Sequence, residues 1–170
     1  MFQIPDGLAE YWTRKAKPRA TAAELSTLAE FFEGGLPAPY AEFIQSFGYV
    51  VFSMDYPDSF DASFSEGPQS VVRQGSVAYL MNAEHITTAH GLSTRDAPGE
   101  GLPAFPSSFL PIAGDAGRSL ILLERTPSPG RVWYWPERDE PWGEIGNTSL
   151  GLVAEDFYGF INGLREYEDE

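Results

Sequence analysis

The chain has 170 residues, a length typical of one domain, and 42% of them are hydrophobic, which is enough for a core and argues against a disordered protein. It contains no cysteine, which excludes disulfide bonds and thiol chemistry. With 25 acidic against 11 basic residues the net charge is −14, and such a surface repels phosphate backbones, which disfavours nucleic-acid binding.

The chain shows no targeting or membrane-spanning pattern. Its first residues lack a basic start followed by an apolar run of signal-peptide length. No stretch approaches the ~18 consecutive apolar residues that a membrane span needs. We therefore expect a cytoplasmic protein that does not bind a membrane.

The first predicted element is a short amphipathic helix over residues 5–17, in which Leu8, Tyr11 and Trp12 follow helical spacing. Residues 1–20 carry four basic and two acidic residues, whereas residues 21–170 carry 7 basic and 23 acidic ones, a local charge of −16. We interpret residues 1–20 as an N-terminal helical extension whose basic cluster is a solvated connector.

Two further helices are predicted before the first strand. Thr21 and Glu24 form a capping-box pattern, which predicts a helix start, and the glycines at 34–35 predict its end. A second helix is predicted to end at Gly48, and its apolar stripe consists of Tyr40, Phe43, Ile44 and Phe47.

The middle of the chain is predicted to alternate strands with loops. Residues 49–54 favour a strand, and residues 71–81 favour one strand or two. Residues 55–70 are polar and contain Gly and Pro, which predicts a loop or irregular edge structure. Asn82 is a predicted cap for a short helix ending near Thr88, with a long loop over residues 93–108.

Three strands are predicted next, over residues 109–113, 119–124 and 131–135; a tight turn joins the first two, and a longer hairpin connection at 126–130 joins the last two. In the first turn Gly114, Asp115 and Gly117 have a structural role, because Gly tolerates positive φ and Asp bonds its own turn.

Alternation along the third strand places Trp133 and Trp135 on one side of the sheet, and we expect at least one of them to be core under a helix. An acidic loop over residues 136–149, a last helix over 153–167 and an acidic tail at 167–170 complete the prediction. Helices and strands are thus segregated, which predicts a single α+β domain with a mainly antiparallel sheet.

No catalytic or metal-binding motif stands out. Nucleophile elbows, phosphate loops and dinucleotide fingerprints are missing, and His85 and His90 have no cysteine partner for a zinc site. Asp55, Asp58 and Asp61 lack the alternation of a calcium loop. We expect no catalytic residue, no metal and no cofactor; a carboxylate-dependent hydrolase is the alternative, since 25 acids always offer pairs.

Three segments together resemble the SUKH superfamily of bacterial toxin-immunity proteins and fungal cell-wall-synthesis regulators. They are LPAPYAEFIQSFG at 36–48, LPIAGDAGRSLILLERTPSPGRVWYW at 110–135 and VAEDFYGFINGL at 153–164. The resemblance covers residues 21–166. It implies a non-enzymatic domain with helices packed on one side of the sheet, whose bacterial relatives bind and block a cognate toxin.

An immunity protein that binds a basic, nucleic-acid-targeting toxin is the leading hypothesis, because acidic loops attract a basic partner and tryptophan anchors it. A scaffold or regulatory module, recruited through a helical face or a flexible N-terminus, is the alternative. The candidate partner-binding residues form two acidic groups: Asp55, Asp58, Asp61 and Glu66, and then Glu137, Asp139, Glu140 and Trp142.

Overall fold

A computed structural model describes residues 1–14, 19–32, 34–53, 55–66, 68–93, 108–117, 119–136 and 150–167. The helices within these ranges are α1 Asp6–Arg14, α2 Ala22–Ala29, α3 Ala38–Ser46, α4 Ala83–Ser93 and α5 Phe157–Asn162. The strands are β1 Val50–Val51, β2 Ser59–Glu66, β3 Gln69–Ser76, β4 Tyr79–Leu80, β5 Phe109–Gly114, β6 Leu120–Glu124, β7 Val132–Trp135 and β8 Gly151–Ala154.

The eight strands form one antiparallel sheet in the order β1-β4-β5-β6-β7-β8-β2-β3. Only Val77 and Ala78 join the edge strand β3 to β4, which lies second from the opposite edge. Two residues bridge roughly 10 Å at most, so the sheet curves until these two strand ends approach. The link is held on both sides, because Val77 N–H donates to the Asp58 carbonyl and Ala78 N–H to the Gly114 carbonyl.

The helices cover one face of this sheet. Buried side chains from all five helices form one core with strand residues such as Phe64, Ile112, Ile121 and Tyr134. A separate, smaller group lies on the opposite face, and we call it the outer apolar cluster: Phe109, Leu122 and Trp135, with Leu120, Trp133 and Leu150 packed against them. The predicted α+β class, with a mainly antiparallel sheet and helices on one side, is confirmed.

Local signals placed several elements correctly. Thr21 and Glu24 form the predicted capping box at the start of α2. Asn82 Oδ1 accepts a hydrogen bond from the His85 N–H at 2.9 Å, although α4 continues five residues beyond the expected end at Thr88. Gly48 follows Phe47, the C-cap of α3, and has the positive φ of 70° that terminates a helix.

The prediction of a loop or irregular edge structure over residues 55–70 was wrong, because the regular strand β2 and the start of β3 occupy most of this range. In β2, Phe60, Ala62 and Phe64 are buried and alternate with exposed polar residues. This period of two is a strand signal that outweighs polar composition. β2 lies between β8 and β3, in the interior of the sheet.

The prediction of one helix over residues 153–167 was also wrong. Residues 151–154 form β8, which pairs with β7 on one side and β2 on the other. The helix starts later because the Asp156 side chain accepts the Gly159 N–H and caps α5. It ends at Asn162, and Arg165 then pairs with Ser59 as an isolated bridge.

The expectation for the tryptophans was half right. Trp133 and Trp135 do share a side of β7, but it is the side of the outer apolar cluster, away from the helices. Tyr134 is the residue of this strand that packs in the helix-covered core. The alternation of side chains along a strand determines which residues share a face. Because apolar residues occupy both faces of β7, the sequence does not show which face the helices cover.

Candidate protein-binding surface

Two members of the first acidic group, Asp55 and Asp58, line one open cleft of about 380 Å³. We call it the acidic cleft, and it is lined by Asp55, Tyr56, Asp58, Ser59, Ser76, Glu166 and Tyr167. The Ser53 hydroxyl donates to Asp55 and the Ser59 hydroxyl donates to Asp58, each at 3.1 Å. Three carboxylates therefore meet two tyrosines and two serine hydroxyls in one depression.

A short backbone bridge assembles this cleft from distant parts of the chain. The N–H groups of Asp58 and Ser59 both donate to the Arg165 carbonyl, and Arg165 N–H donates back to Ser59. The bridge carries Glu166 and Tyr167 to the start of β2. Sequence reasoning missed these two residues, since their only signal was an acidic terminus that reads as a frayed end.

Asp61 and Glu66 do not line the cleft. The Asp61 carboxylate accepts a hydrogen bond from the Arg165 guanidinium, so its charge is locally compensated. Glu66 is the last residue of β2, roughly 23 Å from Ser59 at the usual rise per strand residue, and its side chain lies outside the described residues.

The second acidic group, Glu137, Asp139, Glu140 and Trp142, lies outside the described residues. The residues that flank this segment are described, and both belong to the outer apolar cluster: Trp135 is buried there and Leu150 packs against it. Beside them Glu124, only 5% exposed, accepts a hydrogen bond from Trp133 Nε1 at 2.8 Å.

The Gly-Asp turn between β5 and β6 is organised by one carboxylate. Asp115 Oδ1 accepts the N–H groups of Gly117 at 2.8 Å and Ser119 at 3.1 Å. The Tyr134 hydroxyl donates to the other oxygen at 3.4 Å, and burial is the main cause that raises the pKa of this phenol.

The glycines of this turn have a different role from the expected one. Neither Gly114 nor Gly117 has a positive φ. A Cβ on Gly114 would lie 2.5 Å from the hydroxyl oxygen of Tyr79, so this glycine permits a close approach of that ring.

Among the residues with described positions, no group of three or more His, Asp or Glu side chains could hold a metal ion. Within the same ranges, no helix is both long and apolar enough to cross a membrane.

The structure is thus an α+β domain with an open cleft in which carboxylates and tyrosines meet. The chain belongs to the SMI1 / KNR4 family (SUKH-1), which matches residues 19–163, and the resemblance to the SUKH superfamily is thereby confirmed. This superfamily consists of immunity and regulatory domains that are generally non-enzymatic and act through protein–protein contacts. Comparison with curated proteins finds no match.

Proposed function

We propose that this chain is an immunity protein that binds a basic toxin domain through the acidic cleft and blocks it. The proposal is supported by family membership together with the convergence of Asp55, Asp58 and Glu166 at one surface. The net charge of −14 adds a long-range attraction to any basic partner.

The cleft offers both kinds of contact that a tight complex needs. Its carboxylates orient and speed the encounter, because complementary charge acts mainly on the association rate. Its tyrosines supply rigid apolar area that slows release. Tyr56 is held by Tyr11 with ring centres 6.1 Å apart, whereas Tyr167 is 63% exposed.

We propose that the second acidic group also contacts the partner. Glu137, Asp139 and Glu140 would add negative charge, and Trp142 would be an anchor inserted into the partner. Replacing Trp142 with Ala should then raise the dissociation rate more than it lowers the association rate.

The test uses a candidate toxin domain encoded by the neighbouring reading frame, produced alone and in cells that express this chain. The double variant Asp55→Asn with Asp58→Asn is expected to weaken binding about tenfold or more and to reduce protection of the host. The matched control is Glu30→Gln with Glu84→Gln, which removes the same charge at two exposed helix positions that do not line the cleft.

Equal losses in the two variants would show that net charge alone matters and would contradict a role for the cleft. A different outcome is that both variants bind the partner fully and that the chain does not block the toxin. This result would favour a regulatory module recruited through another surface, which the same family includes.

A further inference from the structure

The edge strand β3 is a second feature that can contact a partner. It is eight residues long and, among the described strands, pairs with β2 alone, whereas the strand at the opposite edge, β1, has two residues. The β2–β3 register runs without a bulge from Ser59↔Ser76 to Glu66↔Gln69. A long, regular edge of this kind can template another strand.

The register shows which backbone groups face outward. Ser59 exchanges hydrogen bonds with Arg165 on the β8 side of β2, while the Asp58 carbonyl accepts Val77 N–H on the β3 side. Because such pairs alternate along an antiparallel ladder, odd-numbered β3 residues bond to β2. The N–H and C=O groups of Ser70, Val72 and Gln74 therefore face the free edge.

The residues of β3 itself offer little that deters strand addition. Residues 67–83 form the longest run without an acid in this acidic chain, and β3 contains neither Lys nor Pro. Its single charge, Arg73, lies over the Phe64 ring, with the guanidinium carbon 5.1 Å from the ring centre. Val72 is 63% exposed on the outer face.

The strand leads directly to the acidic cleft, because Ser76, its last residue, is one of the cleft residues. A strand added antiparallel to β3 would start at the Ser76 end. The partner residues just before that strand would therefore emerge next to Ser76, on the rim of the cleft that holds the carboxylates of Asp55, Asp58 and Glu166. Charge complementarity requires these preceding residues to be Lys or Arg.

We propose that β3 binds an extended segment of the partner protein as a ninth, antiparallel strand, with Lys or Arg residues on its N-terminal side in the acidic cleft. This mode of recognition is strand addition to an exposed sheet edge. It rests on the proposed function only in that the partner is a basic protein.

The test uses two synthetic peptides with the full chain. One has two lysines followed by alternating threonine and valine; the other has the same residues with the lysines last. Amide hydrogen exchange is measured by NMR. When the lysine-first peptide binds, the exchange rates of the Ser70, Val72 and Gln74 amides are expected to fall. The reversed peptide should bind about threefold or more weakly.

Two variants at one position separate strand addition from general attraction. Val72→Pro removes an N–H that makes no ladder bond, so the fold should survive, but peptide affinity should fall about three- to tenfold. Val72→Thr keeps the N–H and should bind as the original chain does. Exchange at Val71 and Arg73 reports whether β3 itself remains intact.

Three outcomes would overturn the proposal. One is unchanged exchange at the three edge amides with both peptides up to about 1 mM. Another is protection that appears without peptide and grows with protein concentration, which would assign the edge to a second copy. The third is a basic toxin that binds through the cleft while these amides stay unprotected; there the edge proposal fails and the proposed function stands.

Discussion

Gly151 lies where two strands and a core ring meet. A Cβ at this position would lie 2.6 Å from ring atoms of Phe64 and 3.0 Å from the Cβ of Ala62. Phe64 is fully buried and has little room to move. A single methyl group therefore cannot be added here without displacing the core.

We expect Gly151→Ala to lower the free energy of unfolding by about 1–3 kcal/mol, the usual cost of overpacking. Gly91→Ala is the control: nothing lies within 4 Å of its added Cβ, and in helix α4 the change should stabilise by about 0.5–1 kcal/mol. Urea unfolding of both variants gives the comparison, and equal effects would contradict the packing around Phe64.

Tyr40 is a fully buried phenol whose hydroxyl has no hydrogen-bond partner among the described residues. Leaving such a group unsatisfied is costly, so Tyr40→Phe should raise the free energy of unfolding by about 1 kcal/mol at neutral pH. Chemical unfolding at pH 7 measures this. A loss of stability would instead reveal a hydrogen bond to the hydroxyl.

The same residue predicts a pH dependence. Burial raises the pKa of Tyr40, so the folded state keeps the phenolic proton above the unfolded value of about 10. The stability that the protonated Tyr40 contributes is fully present below that pH, and it is lost as the pH rises further. Between about pH 9 and 11 the original chain should lose stability more steeply than Tyr40→Phe, and parallel curves would contradict this.

At the scale of elements, α1 belongs to the core although the family match starts at residue 19. Trp12 is 3% exposed, and its Nε1 donates to the Val51 carbonyl at 3.1 Å. Its ring packs edge-on against Phe43 and Phe52, with centres 5.6 and 5.2 Å away. Deleting residues 1–20 would thus disturb the core. A loss of partner binding after that deletion would therefore not show that the N-terminus itself contacts the partner.

We expect Trp12→Ala to lower the free energy of unfolding by about 3–5 kcal/mol, because it leaves a large cavity beneath α1. Trp12→Phe fills part of that space and should cost less. Glu10→Gln, exposed on the same helix, should change stability by no more than about 0.5 kcal/mol. Denaturant titration compares the three variants, and a small effect of Trp12→Ala would contradict the packing of this helix.

The element predictions succeeded where a few neighbouring residues determine the structure. The capping box at Thr21 and the cap at Asn82 needed only local hydrogen bonds. They failed at β8, because Val153 and Ala154 follow a helix-compatible pattern until β7 and β2 offer ladders on both sides. Tertiary pairing overrode local propensity there.

At the scale of the whole molecule, net charge governs the approach of a partner. With a basic toxin domain, the association rate should fall about tenfold or more between about 10 mM and 500 mM salt, because screening shortens the range of attraction. The dissociation rate should change less. Stopped-flow mixing measures both, and an association rate independent of salt would contradict steering by this surface.

The candidate binding surface was only partly predictable. Asp55 and Asp58 were identified from their acidic surroundings, and both line the cleft. Asp61 was identified in the same way, but it pairs with Arg165. Glu166 and Tyr167 complete the cleft only because a bridge at Arg165 joins positions more than a hundred residues apart.

The sequence by itself determined the α+β class, the family, the caps and turns, and the acidic character, because composition and short-range hydrogen bonding suffice for these. Only the tertiary structure decided which face of β7 the helices cover, which acids share a cleft and which long strand lies at the edge of the described sheet. Those features depend on contacts between segments far apart in the chain, and their register is set by packing of the whole sheet.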